Sequence, residues 1–535
     1  MTISVKISEL VLPLEDAADP TTKLRRALAP YSIGADTPLH IVKRALDGRK
    51  RPPQHIYSVA LELEDAHAER LLHRPEVSAY KALHYQPLKL RNADGPRPLV
   101  VGAGPAGLFA AHALAVAGAR PVLIDRGQPV EKRSRDVSKL YSSGVLNPES
   151  NVCYGEGGAG TYSDGKLYTR VGDPRIQRVM ELLVQNGARD DILYVNRPHI
   201  GTDKLVKILK NMRQELLDLG AEIHFGTAIE HVDIRDGQVR GVRLRGGDSI
   251  EADRVILATG HSAREVWYDL YDSGLPLECR PFAVGFRVEH PQTLIDMARY
   301  GQPSVKGLLP AADYSLTYNE GEGEARRGVW SFCMCPGGVV VTTPTHPGEL
   351  CINGMSHASR SGRFANSALV VGVTPEDYAR EGFTGTFAGV EFQLAAERRA
   401  FEQGGGEFTA PATRVSDFAA GRSSSNAPST SYRRGLHPTD LSTVYPDTVT
   451  QTLRRALGRF DKKIRGFVTE DAVLIGAETR TASPVRVPRG EDGQAVGCAG
   501  LYPAGEGMGY GGGIVSAAVD GMRAAEHLLV ALGAV

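Results

Sequence analysis

Apolar and polar positions alternate along ISVKISELVLPL and QHIYSVALELE, which predicts two strands near the N-terminus. Between them TKLRRALAPY has helical spacing, and PLHIVKRALDG reads as a strand running into a helix. Residues 1–92 are therefore expected to form a small α+β module, followed by a linker at RNADGPRP, residues 91–98. The texture changes at Leu99. LVVGAGPAGLFAAHALAVAGARPVLIDRG is an apolar strand, a glycine turn, an Ala-rich helix and a second apolar strand ending in an acid, a βαβ unit. Helices follow over PRIQRVMELLVQNG and TDKLVKILKNMRQELLDLG. Hairpins are predicted where DG and GG punctuate AEIHFGTAIEHVDIRDGQVRGVRLRGG, and RVILATG closes the block as a strand.

From about Pro276 to Phe467 the pattern mixes strands (AVGFRVE, WSFCMC, GVVVTTP) with a helix over VEFQLAAERRAFEQ, and reads as an inserted second domain. Residues 421–435, GRSSSNAPSTSYRRG, are expected to be a surface or mobile loop. The tail LYPAGEGMGYGGGIVSAAVDGMRAAEHLL returns to strand, glycine loop and helix. The expected division is thus 1–92, 93–275, an insert over 276–467, and a return over 468–535.

Charge and composition narrow the classes. Lys and Arg number 62 and Asp and Glu 62, so no global field recruits nucleic acid or an anionic membrane. A local run, Lys43, Arg44, Arg49, Lys50 and Arg51, reads either as a solvated face or as a phosphate contact. No stretch approaches the roughly 20 apolar residues of a spanning helix. Glu9, Glu15 and Asp16 argue against a signal peptide. Six scattered cysteines without zinc-ligand spacing fit a reduced, cytoplasmic setting without disulfides, and no metal site is expected from the dispersed histidines. The 60 glycines exceed the usual share of about 7% and fall in clusters, which points to close backbone approach to a ligand.

The clearest cluster is Gly102-Ala103-Gly104-Pro105-Ala106-Gly107, directly after a predicted strand and opening a helix. Gly102 permits a tight turn, Gly104 lets the backbone approach a pyrophosphate, and Gly107 lets the helix pack closely on the sheet. The helix start offers unpaired N–H groups and a positive dipole end. Asp125 ends the second strand 23 residues after Gly102, where an acid accepts from a ribose hydroxyl. A dinucleotide site follows, and the fingerprint by itself does not choose between FAD and NAD.

Three further segments resemble flavoproteins. GEGGAGTYSDGKL resembles the glycine loop that large FAD-dependent dehydrogenases place beside the flavin and pyrophosphate, which implicates Gly157, Gly158, Ala159, Gly160 and Asp164. RVILATG, with Thr259 and Gly260, resembles the strand that returns to an FAD domain, and Ala228 in the preceding segment joins the candidates. LYPAGEGMGYGGGIVSAAVDG resembles a C-terminal flavoprotein segment. That likeness implies Gly505 and Glu506 at the ribityl chain, and a helix opening at Gly512, Gly513 and Ile514 aimed at the isoalloxazine C2 carbonyl, where a dipole stabilises negative charge. With SFCMCPGGVVVTT and GMSHASRSGRFANSALVVGV, the order resembles the uncharacterised bacterial and plastid family of FAD-dependent dehydrogenases, or NAD(P)/FAD-dependent oxidoreductases. The resemblance covers most of the chain. It implies an α/β fold: a Rossmann-like FAD-binding domain (three-layer ββα), an inserted mixed α+β substrate domain and a small N-terminal ferredoxin-like α+β module. FAD is expected to bind non-covalently. Asp125 stands where many flavoproteins carry Glu. Arg126 and Arg133 either flank the adenosine and phosphates or lie on the surface.

Candidate chemistry beyond the flavin is less specific. Cys333 and Cys335 invite a redox reading, although alternation on an extended strand would place both as small buried residues on one face, where a disulfide is strained. His357 and Arg363, in a cationic loop with Arg360, could hold an anionic substrate or supply acid/base chemistry; a hydrogen-bonded loop histidine fits equally. Asn366 and Ser367 are suggestive in the same way. Asp164 and Lys166 face the flavin or merely shape a turn. The expectation is an FAD-dependent oxidoreductase that passes hydride or electrons at the flavin N5 to a second acceptor, either from NAD(P)H docking transiently, since no second fingerprint exists, or from an organic small-molecule substrate itself. Two alternatives remain open: a tRNA-modifying flavoenzyme using the basic run, and a non-catalytic or sensor flavoprotein.

Overall fold

The computed structural model describes residues 2–91, 95–169, 172–305, 307–323 and 326–535. Residues 92–94 of the expected linker lie outside the described residues.

Leu99–Val101, Val122–Asp125, Glu222–Phe225, Val255–Leu257 and Leu501–Pro503 form one parallel sheet, so its outer strand arrives from the far end of the chain. These strands are apolar without interruption because both faces are covered. Val100, Leu123, Ile256 and Tyr502 face a layer of helices, Pro105–Val116 and Ile514–Ala531 among them. Leu99, Val101, Ile124, Val255 and Leu257 face the three-stranded antiparallel sheet of Ile229–Arg235, Gln238–Leu244 and Ser249–Glu251. Sheet, sheet and helices make three layers.

The second large unit is an eight-stranded mixed sheet. Its backbone is the pairing of Arg327–Thr342, Phe364–Val373, Phe282–Pro291 and Val473–Glu478. Val473–Glu478 corrects the expected boundary at 467. An apolar run reads as a strand from sequence, but which sheet takes it is a matter of pairing, and Leu474 and Ile475 pair with Val288 and Arg287. The stretch expected as two strands, WSFCMC and GVVVTTP, is one strand, bulged between Phe332 and Cys335 and again between Cys335 and Gly338.

The N-terminal unit is βαββαβ, with its four antiparallel strands in the order second, third, first, fourth. PLHIVKRALDG does not turn helical: Leu39–Asp47 is strand throughout, because its β-partner Gln54–Glu64 is long enough to pair all of it. Of the basic run, the three arginines pair within the chain, while Lys43 and Lys50 are exposed. Arg44 N–H donates to Tyr194 O and Arg44 O accepts from Asn196 N–H, both at 2.7 Å, while its side chain pairs with Asp191 at 3.2 Å. Arg49 pairs with Asp47, and Arg51 donates to Gly48 O and Arg299 O. Residues 421–435 are tied down rather than loose. Glu289, buried, accepts from Thr430 Oγ1 at 2.6 Å and Ser431 N–H at 2.9 Å, and buried Tyr432 donates to Phe408 O. Among the described residues no helix is long and apolar enough to cross a membrane.

Candidate functional site

One cavity of about 1150 Å³ runs between the parallel-sheet domain and the large mixed sheet, above the roughly 300–1,000 Å³ of ordinary ligand pockets. Gly102 turns the chain out of its strand at φ +105°, and a Cβ there would lie 2.3 Å from Ala258 O. Gly104 caps the helix Pro105–Val116, and a Cβ on Gly107 would meet Gly102 O at 1.7 Å, so the turn closes onto the helix only without a side chain. Gly102, Gly104, Pro105 and Ala106 line the cavity, whereas Gly107 packs behind it. A second helix, Ile514–Ala531, opens at Gly513 into the same cavity, with Gly512, Gly513 and Ile514 on the wall. Two sets of free helix N–H groups and two positive dipole ends thus converge on one space.

The remaining candidates fall on and off this wall. Gly158, Ala159, Gly160 and Asp164 line it, and Gly157 lies beneath, against Thr161 and Leu209. Ala228, Thr259, Gly260, Gly505 and Glu506 line it too. The Thr259 hydroxyl is buried without a hydrogen-bond partner, a donor and acceptor left for a ligand. Asp125 lines the cavity, but both its oxygens already accept backbone N–H groups, from Ala103 at 2.7 Å and Gly127 at 2.8 Å. Its first task is to hold the fingerprint turn. Arg126 reaches the wall with its guanidinium 4.1 Å from the centre of the Tyr154 ring and its charge matched by Glu149 and Glu265. Arg133 is corrected: it faces neither the cavity nor solvent. Fully buried, it donates to the carbonyls of Asn151, Val152, Gly155, Glu156 and Gly158 and so shapes the glycine loop from behind. Burial pushes the Glu506 carboxyl up to about 7, against a hydrogen bond from Gly513 N–H.

The catalytic candidates divide. His357 is 65% exposed, 3.8 Å from Asp203, and lies outside the cavity. Arg363 is exposed over the Phe364 ring and also lies outside. The loop turns at Arg360, φ +46°, and sends that residue inward to Asp164 instead. Asn366 and Ser367 are buried and hold Arg287 and Tyr314. Cys333 and Cys335 are not the simple same-face pair of an extended strand. Cys333 sits at φ +48° in the bulge and lines the cavity, while Cys335 is buried with Sγ 3.4 Å from Arg287 Nη2. Burial pushes the Cys333 thiol up to about 11, with Lys166 opposing, so it is not a thiolate at neutral pH. All six cysteines are free.

Sequence reasoning missed much of the other wall: Trp330, Phe332, Asn353, His261 and Arg480. None sits in a glycine motif, and separate strands and loops bring them together. Arg480 and Arg264 share buried Glu397 at 2.8 and 3.0 Å. Burial and these two arginines push His261 down to about 4, so its imidazole is neutral at physiological pH. Asp520, on the C-terminal helix, was also missed; it accepts from Gly505 N–H at 2.8 Å and fixes that turn.

The comparisons agree with this geometry. A family model described as an FAD binding domain matches residues 97–139, and one described as FAD-dependent protein, C-terminal domain-like, matches residues 281–481. The latter spans the large sheet, Val473–Glu478 included. Among solved structures, an E. coli quinol fumarate reductase variant is 14% identical (TM-score 0.36) and the halogenase PltM 13% identical (TM-score 0.38). Each alignment covers 82% of this chain and 70% of the other. An uncharacterized protein of Clostridium beijerinckii is 40% identical over 533 residues, 98% of this chain and 99% of the relative. With its fingerprint and its large sheet both matching FAD-dependent domains, the chain belongs to the family of FAD-dependent proteins that includes this clostridial relative.

Proposed function

We propose that the protein is an FAD-dependent oxidoreductase acting on a small molecule. The observation that carries this reading is one cavity on which two helix N-termini open and which the bulged strand of Trp330 to Met334 also lines. The residues fit the cofactor: glycines at the close approaches, a free Thr259 hydroxyl, Asp125 at the strand end and Glu506 beside Gly513. When bound, FAD supplies the hydride and electron transfer. The helix starts of Pro105 and Ile514 stabilise negative charge, Arg133 and Asp520 hold the loops that line the cofactor space, and the large sheet supplies the facing wall. NAD(P)H is the proposed donor, docking transiently in the outer part of the cavity. Pairing of Arg44, Arg49 and Arg51 with groups of the chain itself favours a small-molecule substrate over nucleic acid. The order of strands and helices at the N-terminus supports a ferredoxin-like module, and the free cysteines support a cytoplasmic setting.

The test is an anaerobic titration with NADH and NADPH, followed at the oxidised-flavin band near about 450 nm. The expected result is a yellow protein bleached by one nucleotide. A colourless protein that FAD does not reconstitute would overturn the reading, and a yellow one that neither nucleotide reduces would remove the proposed donor.

A further inference from the structure

The cavity wall around the bulged strand holds a surplus of positive charge. The bulge at Cys333 frees carbonyls from the sheet ladder: Cys333 O accepts from Arg287 Nη2 at 2.6 Å, and Met334 O accepts from Lys166 Nζ. Lys166 lines the cavity at 17% exposure, and its Nζ lies 3.3 Å from Asp164. Asp164, however, is already engaged in a two-point pair with Arg360. Arg287 is matched by Glu478 at 3.0 Å. The ion pairs of three cations around the Cys333–Cys335 segment, Lys166, Arg360 and Arg287, therefore go to two carboxylates, Asp164 and Glu478, while Glu289 near Arg287 is taken by Thr430 and Ser431 and burial raises its carboxyl. Neighbouring His199 does not add to the surplus, since burial and Arg360 lower its pKa. The other inner cluster is balanced, with Arg264 and Arg480 against Glu349 and Glu397. A charge withdrawn from water without a full counter-charge is costly unless a ligand supplies one, and Lys166 is the surplus cation that opens on the cavity. On the strand Arg327–Thr342, whose Met334 carbonyl Lys166 meets, Trp330 and Phe332 line the wall, and Tyr168 stands two residues from Lys166.

We infer that Lys166 is the anion anchor of the substrate end, and that the substrate carries a carboxylate or an equivalent oxyanion on a planar, conjugated body held against Trp330 and Phe332. This rests on the FAD reading for which end of the cavity the cofactor takes. Lys166 binds and orients the anion through its ammonium, and Arg360 keeps Asp164 from neutralising it.

Benzoate, with benzamide as the uncharged control, probes this in FAD-loaded and FAD-free protein, read by tryptophan fluorescence and, when loaded, by the flavin absorption band. The chain has two tryptophans, of which Trp267 is fully buried and Trp330 lines the cavity. Saturable benzoate binding is expected, with benzamide at least about tenfold weaker. Lys166→Met should weaken benzoate about tenfold or more, Lys166→Arg should largely restore it, and Trp330→Phe should abolish the fluorescence change. Circular dichroism and the Arg variant separate loss of the anchor from loss of the fold. The inference is overturned if benzoate fails to bind, if benzamide binds as well, or if Lys166→Met binds benzoate unchanged. A shifted flavin potential with unchanged benzoate binding would assign Lys166 to the cofactor and overturn it too. Failure to take up FAD would sink the reading beneath it, while benzoate quenching in the FAD-free protein still decides the role of Lys166.

Discussion

Arg133 shows how a single residue can serve a cofactor site without touching it. Its planar fork reaches five backbone carbonyls of one loop, a set that a lysine ammonium with three donors does not span. Arg133→Lys should leave buried carbonyls unpaired and lower stability by about 2–4 kcal/mol, with weaker FAD retention, checked by denaturant unfolding and flavin-to-protein ratio. Glu506 makes a pH prediction. Its folded carboxyl is raised from 4.5 to about 7, so its contribution to stability is fully present below about pH 4.5 and lost as pH rises through about 7. FAD-free Glu506→Gln should show a smaller fall in Tm across that window than the parent protein; equal falls would remove the assignment. From sequence the arginine was visible only as a charge near the fingerprint, because nothing local tells a buried fork from a surface one.

At the scale of elements, the two helices that aim at the cavity also pack on each other. A Cβ on Gly521 would lie 1.9 Å from Ala106 O, so the C-terminal helix rests directly on the first turn of the fingerprint helix. Gly521→Ala should force the helices apart, at a cost of about 1–3 kcal/mol, and lower FAD occupancy more than it lowers helix content. Thermal unfolding with a flavin assay checks both. The βαβ unit was legible because strand, turn and helix each carry their own periodicity. The bulged strand Arg327–Thr342 was not. Its Cys-Met-Cys-Pro-Gly-Gly centre reads as a break, whereas pairing with Phe364–Val373 carries the strand across with shifts in register.

At the scale of the whole molecule, Glu397 joins the two large units. It comes from the mixed-sheet unit's helix Ala388–Gln403, and it pairs with Arg264 of the FAD-binding unit and with Arg480 just past Val473–Glu478. Burial would raise its carboxyl, but the two arginines outweigh that and hold it well below the usual range. Its stabilising share is present above about pH 4.5 and is lost as pH falls. Glu397→Gln should cost about 3–5 kcal/mol at neutral pH, because two buried guanidiniums lose their shared partner, and should flatten the acid limb of the stability curve.

What the sequence by itself determined is local and repeating: the continuous apolar strands of a doubly covered parallel sheet, the glycine turn opening a helix, the acid at the second strand's end, and the C-terminal helix behind its glycines. Each is written in a few neighbouring residues, because backbone sterics and burial periodicity act over short spans. Only the tertiary structure decided which sheet receives Val473–Glu478, that Arg360 rather than His357 turns inward, and that Lys166 meets the Met334 carbonyl across 168 positions of chain. Those contacts depend on strand pairing and on the balance of buried charge between distant segments, and both are set when the sheets close around the cavity.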